Sequence, residues 1–279
     1  MRFLETGGAR LCVETFGDPA DPTILLVHGA SASMLWWDEE LCELLAAGGR
    51  HVVRYDNRDT GRSTAYPPGS PGYTMRDMAL DAIGILDGLG VGAAHLVGRS
   101  MAGGIVTVAA AAHPSRVATL TLVTTTPGLP GLPPMSAEFV EFTGSGGPDP
   151  ADPAAVVEFI VGLMRVYGGG SPYFDEPAVR RLASLDVART ANIASCLVNH
   201  FVIDTGDAGP QLLAGLRAPT LVVHGEHDPI FPLEHGTALR DAIPGASLLV
   251  LPEAGHELPR PLWPLFTAAL LEHTARRLP

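Results

Sequence analysis

Two serines in this chain follow a Gly-Arg dipeptide and could act as nucleophiles: Ser63 in GRSTAY and Ser100 in GRSMAGG. Both fit a loose form of the pattern GxSx(G/A), which holds a serine hydroxyl on a sharp turn between a strand and a helix. Ser100 follows the buried-strand pattern AAHLV and precedes AGGIVTVAAAA, a helix of small residues. Ser63 follows the polar stretch DNRDT and precedes AYPPG, where two prolines prevent a helix. We therefore predict that Ser100 is the nucleophile and that Ser63 lies in a hydrogen-bonded structural turn.

A serine hydroxyl is a weak nucleophile near neutral pH, so it needs a general base and an acid that orients the base. His256 in PEAGHELP follows the last predicted strand, ASLLVL, whereas His95 lies inside a strand pattern and His113 at a helix end. Asp228 in LVVHGEHDPI falls just beyond another strand, beside a proline that restricts the loop. The order Ser100, Asp228, His256 is the one expected for a serine at a strand-to-helix elbow. We predict these three residues as nucleophile, acid and base.

The same segments admit a second interpretation as a metal site, because His224, Glu226, His227, Asp228 and His256 are all metal-ligating residue types. A His-x-x-His-Asp run on a turn lacks the helical geometry of typical zinc sites. The catalytic acid is therefore the favoured interpretation, and the sequence implies neither a metal nor a cofactor.

The chemistry-bearing segments lie in a chain that alternates short apolar runs with amphipathic helical patterns, as in TILLVHG, HVVRYD and VATLTLVTTT. Continuous apolar strands between helices predict an α/β fold with a mostly parallel central sheet covered by helices on both faces. RFLET and RLCVETFG flank a Gly-Gly turn and predict an N-terminal antiparallel hairpin. From 127 to 215 the pattern becomes Gly- and Pro-rich and then helical. We predict a core domain over 1–126 and 216–279, with an inserted helical cap over 127–215.

Composition and charge indicate which partners the protein binds and in which compartment it works. The chain has 279 residues, 46% of them hydrophobic, and a formal net charge of −12, which disfavours nucleic acid and anionic membranes. No signal peptide is predicted at MRFLETGGARL, and no apolar run reaches the ~18 residues of a transmembrane helix. Cys12, Cys42 and Cys196 form no CxxC pair and are predicted to be buried free thiols. We expect a cytoplasmic protein with a small-molecule partner.

Five segments together resemble one known family: LLVHGASAS, RYDNRDTGRS, HLVGRSMAGG, LVVHGEHDPIFP and LPEAGHELPR. The chain resembles the α/β-hydrolase-fold serine esterases over nearly its whole length. The form RYDxRDTGRS is shared with aclacinomycin methylesterase and related actinomycete hydrolases. The resemblance implies an oxyanion site made by the backbone N–H groups of Ala30 and Met101. The sequence departs from the family pattern at Ala102, where most relatives carry glycine.

Several polar residues near these motifs have more than one interpretation. Arg99, Asp59 and Arg62 are most simply explained as solvated or ion-paired turn residues. Asn199 and His200 in SCLVNHFVID fit either polar groups of a cap pocket or residues on a helix surface.

Large side chains predict the character of a substrate pocket. In the cap helix AAVVEFIVGLMRVYG, apolar residues from Val156 to Tyr167 recur at three- and four-residue spacings, so one stripe faces either the active site or other cap helices. The candidate substrate-binding residues are Trp36, Trp37, Phe159, Met164 and Tyr167. One of the two tryptophans is expected in the core, and the other lines either the core or the pocket.

We therefore expect a carboxylic ester hydrolase that forms an acyl-enzyme. Its predicted substrates are methyl or other small-alcohol esters of bulky apolar acids. A lactone, thioester or C–C bond hydrolase would use the same triad, and a ligand-binding member with little turnover is the alternative from outside the enzymes.

Overall fold

Eight strands form one sheet in the computed structural model, which describes residues 1–206 and 209–275. The strands are β1 (Arg2–Thr6), β2 (Ala9–Phe16), β3 (Thr23–Val27), β4 (His51–Tyr55), β5 (Ala94–Arg99), β6 (Val117–Val123), β7 (Thr220–Gly225) and β8 (Ser247–Leu251). Their order across the sheet is β1-β2-β4-β3-β5-β6-β7-β8. β1 and β2 pair antiparallel, β2 is antiparallel to β4, and the strands from β4 to β8 pair parallel. The predicted hairpin and mostly parallel sheet are confirmed.

Helices connect the parallel strands, as the crossover between parallel neighbours requires, and a further helix follows the last strand. They are α1 (Glu39–Ala47), α2 (Met75–Leu89), α3 (Ala102–Ala112), α4 (Ala137–Gly144), α5 (Pro153–Tyr167), α6 (Glu176–Arg189), α7 (Ile193–Val198), α8 (Leu233–Ala242) and α9 (Trp263–Thr274). Within the described ranges, no helix combines the length and apolar character needed to cross a bilayer. All three cysteines are buried free thiols, as predicted.

The sheet buries both of its faces. Successive residues of β3 alternate between two apolar clusters: Leu25 and Val27 pack with α2 and α3, whereas Ile24 and Leu26 pack with α1 and α9. This alternation is the period-two geometry of a strand, and it explains why the strand sequences are continuously apolar. The predicted covering of both faces by helices is therefore confirmed.

Four helices, α4 to α7, separate β6 from β7 along the chain although these strands are neighbours in the sheet. Within this segment α5 packs against α4 and α6. The fully buried residues of α5 are Val156, Val161 and Val166. Of the apolar stripe that runs from Val156 to Tyr167, Val156 is buried and the other members are half-buried. The packing of α5 on α4 and α6 agrees with the second interpretation of this stripe, contact with neighbouring helices.

The parallel strands point their carboxyl ends to one edge of the sheet. Ser100 follows β5, Asp228 lies in the loop after β7, and His256 lies in the loop after β8. Loops at this edge are where open α/β sheets bind their ligands. Three residues far apart in sequence are thereby brought to one place.

Candidate active site

Ser100 occupies a strained turn between β5 and α3. Its φ is 53°, in the left-handed region that non-glycine residues rarely adopt. Hydrogen bonds hold this conformation: the Ser100 N–H donates to the carbonyl of Val123 at 2.9 Å, and the Thr125 hydroxyl donates to the Ser100 carbonyl at 2.8 Å. Strain of this kind persists where the surroundings fix the backbone, and it is typical of functional turns.

Small residues around Ser100 allow the strand and helix to approach closely. A side chain at Gly98 would collide with the carbonyl oxygen of Ala102 and with Val106. Ala102, the departure from the family pattern, is fully buried at the first turn of α3. Its methyl group is therefore accommodated at the elbow, while Gly98 has no room for one.

The side chains of Ser100, His256 and Asp228 lie in one hydrogen-bonded line. His256 Nε2 is 3.0 Å from Ser100 Oγ, and His256 Nδ1 is 2.8 Å from Asp228 Oδ2. An ionised Asp228 can only accept, so Nδ1 carries the proton and Nε2 is free to accept the serine proton. This arrangement has the geometry of a nucleophile, a base and an orienting acid.

Asp228 is held in its ionised form. Its Oδ1 accepts the backbone N–H groups of Ile230 and Phe231, each at 2.9 Å. Burial by itself would raise the pKa of Asp228, but His256, His224 and the Phe231 N–H outweigh it, so the pKa lies below its usual value. The carboxylate therefore remains charged at neutral pH and can stabilise an imidazolium.

His256 is fixed through its backbone as well as its ring. Its N–H donates to the carbonyl of Tyr167 at 2.8 Å, and the Arg99 guanidinium donates to its carbonyl at 2.9 Å. The rings of Tyr167 and Phe231 meet the imidazole edge-on, with centroids at 5.0 and 5.7 Å. Burial raises the pKa of Tyr167 to about 12, so its hydroxyl is neutral.

The loop after β3 runs close to Ser100. A Cβ at Gly29 would come within 2.9 Å of the Ser100 Cβ, so only glycine permits this approach. The backbone N–H groups of Ala30 and Met101 have no hydrogen-bond acceptor among residues 1–206 and 209–275. An oxyanion site beside a serine nucleophile would require unpaired amides of this kind as donors.

Ser63 has a different role from Ser100. Its hydroxyl donates to the Asp56 carbonyl at 2.6 Å and accepts the Cys12 N–H at 2.9 Å. Both ends of this buried hydroxyl are therefore used to join the loop after β4 to β2. The prediction that Ser63 lies in a structural turn is confirmed.

Of the three residues expected in solvated or ion-paired turns, Arg62 is exposed, whereas Arg99 and Asp59 are buried without an ionic partner among the described residues. Arg99 is 6% exposed and contacts His28 Nε2 at 3.2 Å in addition to the His256 carbonyl. Asp59 is buried and accepts hydrogen bonds from the Tyr73 hydroxyl at 2.6 Å and from the Asn199 amide at 2.9 Å. For these two residues the expectation was wrong because the turn is covered by other parts of the chain, which local sequence does not reveal.

The candidate pocket residues are dispersed. Trp37 is buried in the core beside α1 and contacts the ring of His28, so the structure contradicts a role for it on an open pocket wall. Trp36 donates from its indole nitrogen to Asp186 at 2.7 Å. The ring of Phe159 stacks on Phe142 of α4 at 5.3 Å. Tyr167 contacts the hydrogen-bonded line through the ring of His256.

Met164, the remaining candidate, is half-buried on α5.

A cavity of about 480 Å³ is lined by Glu226, His227, Asp228, Pro232, Leu233, Glu234 and Thr237. Because neither Ser100 nor His256 lines this cavity, we do not assign an acyl pocket to it.

The residues considered for a metal site are engaged elsewhere. His224 donates from Nε2 to the Phe231 carbonyl at 2.6 Å, and Glu226 accepts the Glu253 N–H at 2.9 Å. Among the described residues, no group of three or more His, Cys, Asp or Glu side chains is arranged to hold a metal ion.

Comparison with known proteins decides the family. The family model described as alpha/beta hydrolase fold matches residues 22–259. The chain belongs to the α/β hydrolase fold family. Within this family it is 31% identical to rhodomycin D methylesterase DauP from Streptomyces sp. (strain C5), over 98% of this chain and 97% of that protein. Membership in the α/β hydrolase family and this full-length similarity identify a hydrolase and support ester hydrolysis.

Solved structures of other α/β hydrolases agree with the fold. The meta-cleavage product hydrolase CumD from Pseudomonas fluorescens IP01 matches with a TM-score of 0.77 at 19% identity, over 99% of this chain and 97% of that one. The esterase RhEst1 from Rhodococcus sp. ECU1013 matches with a TM-score of 0.78 at 21% identity, over 100% and 99% of the two chains. At these identities the likeness establishes the fold alone.

Proposed function

We propose that this α/β hydrolase cleaves carboxylic esters through an acyl-enzyme on Ser100. The observation that carries the proposal is the hydrogen-bonded line from Ser100 through His256 to Asp228, with contacts of 3.0 and 2.8 Å. The full-length similarity to a methylesterase gives independent support for the ester as substrate.

The proposed reaction has two halves. Ser100 Oγ attacks the acyl carbon while its proton passes to His256 Nε2, and Asp228 stabilises the imidazolium. The backbone N–H groups of Ala30 and Met101 bind the oxyanion of the tetrahedral intermediate. His256 then protonates the leaving alcohol. In the second half, water loses a proton to His256 and attacks the acyl carbon. The bond from that carbon to Ser100 Oγ then breaks, His256 returns the proton to Oγ, and the acid leaves.

We propose residues 127–215 as the cap that determines the acyl group. The support is that α5 ends beside the base, where the carbonyl of Tyr167 accepts the His256 N–H and its ring contacts the imidazole. Together with the ring of Phe231, this gives apolar walls beside the imidazole of His256. Such walls favour large apolar acids through burial of apolar area, and DauP is named for a methyl ester of rhodomycin D. Methyl or other small-alcohol esters of bulky apolar acids are therefore the proposed substrates, and the buried free thiols support a cytoplasmic location.

A fluorophosphonate probe tests the mechanism directly, because it labels only an activated serine. We expect labelling of the wild-type chain and of Ser63→Ala, and none of Ser100→Ala. Hydrolysis of a methyl ester should follow the same pattern, with a loss of roughly 10⁴-fold or more in Ser100→Ala. A wild-type chain that resists labelling would instead indicate a ligand-binding protein.

A graded series of methyl esters, from acetate to naphthoate and larger acids, tests the substrate class. We expect kcat/KM to rise with the size of the acid. Best turnover of acetate and butyrate would contradict the bulky-acyl proposal while leaving the mechanism intact. Lactones and thioesters tested beside them identify which acyl bond the enzyme prefers.

A further inference from the structure

Ser31, the residue after Ala30, is anchored through both of its backbone polar groups. Its N–H donates to His200 Nδ1 at 3.1 Å, and its carbonyl accepts a hydrogen bond from Cys196 Sγ at 3.6 Å. Its φ of 56° is in the left-handed region, which a serine adopts only under constraint. Two consecutive peptide units next to Ala30 are thereby fixed.

Both anchors come from one face of a short helical segment in the proposed cap. Cys196 lies in α7 and His200 in the 3₁₀ turn Asn199–Phe201 that follows it. Residues four apart share a helix face, so the two side chains reach Ser31 together. Both are buried, which contradicts the helix surface, one of the two interpretations that the sequence allowed for His200.

The protonation of His200 is determined by its two partners. Its Nε2 is 2.8 Å from the Arg58 carbonyl and must donate, because a carbonyl oxygen only accepts. Its Nδ1 therefore accepts the Ser31 N–H, which requires the neutral ring. Burial lowers the pKa of His200, although the Arg58 carbonyl and the nearby charge of Asp59 act in the opposite direction.

The loop that carries Ala30 is thus held at both ends. On one side, the Asn57 side chain donates to the His28 carbonyl at 2.8 Å. On the other side, His200 and Cys196 hold Ser31. Between these anchors lie Gly29 and Ala30, which have little freedom to rotate when both ends are fixed.

We infer that His200 is a positioning residue that orients the Ala30 amide toward the oxyanion, with Cys196 as a second anchor. This inference rests on the proposed function. The segment between β6 and β7 then contributes to catalysis itself as well as to substrate selection. A misaligned oxyanion donor weakens binding of the transition state more than binding of the substrate, so its loss lowers kcat and leaves KM little changed.

Two variants of His200 separate its hydrogen bonds. In His200→Asn, the shorter amide takes the position of Nδ1 and can accept the Ser31 N–H, but it cannot reach Arg58. In His200→Gln, the longer amide takes the position of Nε2 and can donate to the Arg58 carbonyl, but it leaves Ser31 unpaired. The variants are matched in chemistry and each removes one bond.

We expect kcat for a methyl ester to fall about 10-fold to 100-fold in His200→Gln, with KM unchanged within about twofold. In His200→Asn we expect kcat to stay within a few-fold of wild type. The affinity for a trifluoromethyl ketone, which forms an oxyanion on Ser100, should fall in parallel with kcat. An equal fall of kcat in both variants, accompanied by an equal loss of thermal stability, would show that His200 has only a structural role. An unchanged kcat in both variants would also overturn the inference.

Cys196→Ala provides an independent variant, since it removes the second anchor without leaving a buried charge. A severalfold lower kcat at constant KM supports the inference, and an unchanged kcat contradicts the anchoring role of Cys196. Fluorophosphonate labelling of the wild-type chain distinguishes the two levels of failure. If the wild type is labelled and the variants behave alike, the inference fails alone; if the wild type is not labelled, the proposed function fails with it.

Discussion

Arg189 and Asp56 form a two-pronged ion pair, in which both terminal nitrogens of the guanidinium lie 2.8 Å from the two carboxylate oxygens. The pair joins α6 to the loop after β4, and both side chains are almost completely buried. Asp56 also accepts the backbone N–H groups of Met34 and Arg62, so one carboxylate organises three separate segments.

We expect Arg189→Met to lower the free energy of unfolding by about 3 kcal/mol, because it leaves a buried carboxylate without its cation. In the double variant with Asp56→Asn, the free energy of unfolding should fall by less than the sum of the two single-variant losses. The difference, which is the coupling energy, should exceed about 1 kcal/mol. Urea unfolding of the four proteins measures this coupling. Arg165→Met is the control, because the ion pair between Arg165 and Glu176 is exposed to solvent. Its loss should lower the free energy of unfolding far less.

Replacing Ser63 should affect stability and leave catalysis intact. Ser63→Ala removes a donor to the Asp56 carbonyl and an acceptor for the Cys12 N–H, both buried. We expect a loss of about 1–3 kcal/mol in the free energy of unfolding, with kcat unchanged. The matched control is Ser184→Ala, since the exposed Ser184 hydroxyl donates only to the Arg180 carbonyl of its own helix. A comparable loss in both variants would argue against the structural role of Ser63.

The closeness of Gly29 to Ser100 predicts a sharp effect from one methyl group. In Gly29→Ala the new Cβ would lie 2.9 Å from the Ser100 Cβ and 3.1 Å from the Arg99 carbonyl, so the loop must retreat from the nucleophile. We expect kcat/KM to fall by about 10²-fold, the cost of losing one oxyanion donor. Gly92→Ala, where no atom lies within 4 Å of the added Cβ, should keep full activity.

Stability should fall in acid partly through His95 in β5. Burial, followed by the charges of Arg50 and His273, lowers the pKa of His95 to about 4 from an ordinary value of 6.5. The unfolded chain therefore binds a proton that the folded chain cannot bind, and stability decreases as the pH falls from about 6.5 to about 4. This pKa shift corresponds to a contribution of about 3 kcal/mol to the free energy of unfolding.

His95→Asn tests this contribution, because asparagine can still hydrogen-bond the Thr119 hydroxyl that lies 2.9 Å from His95 Nδ1. Urea unfolding at about pH 7 and about pH 4 measures how much the free energy of unfolding decreases in acid. This decrease should be smaller in the variant than in the wild type by about 3 kcal/mol. The other buried histidines are present in both proteins and cancel in this difference. Identical pH dependence of the two proteins would contradict the assignment.

Sequence reasoning succeeded where the local pattern determines the place of a residue in the fold. Ser100, Asp228 and His256 each follow a strand, and parallel strands bring their ends together, so order and context sufficed to predict that these side chains meet at one edge of the sheet. It failed for Arg99 and Asn199, whose environments come from distant segments. Asn199 donates to Asp59, 140 residues earlier in the chain, and no local spacing encodes that contact. The apolar stripe of α5 was ambiguous for the same reason, because period alone does not say which neighbour a face will meet.

The hydrogen bond from the His256 N–H to the carbonyl of Tyr167 separates two kinds of sequence change. Because the acceptor is a main-chain oxygen, a change of side chain at position 167 preserves it, and the proposed pocket wall is open to substitution. A deletion or insertion between α5 and α6 would instead displace that oxygen and the imidazole with it. Engineering that aims to change the proposed acid specificity should therefore exchange side chains along α5 while keeping the length of the connection that follows it.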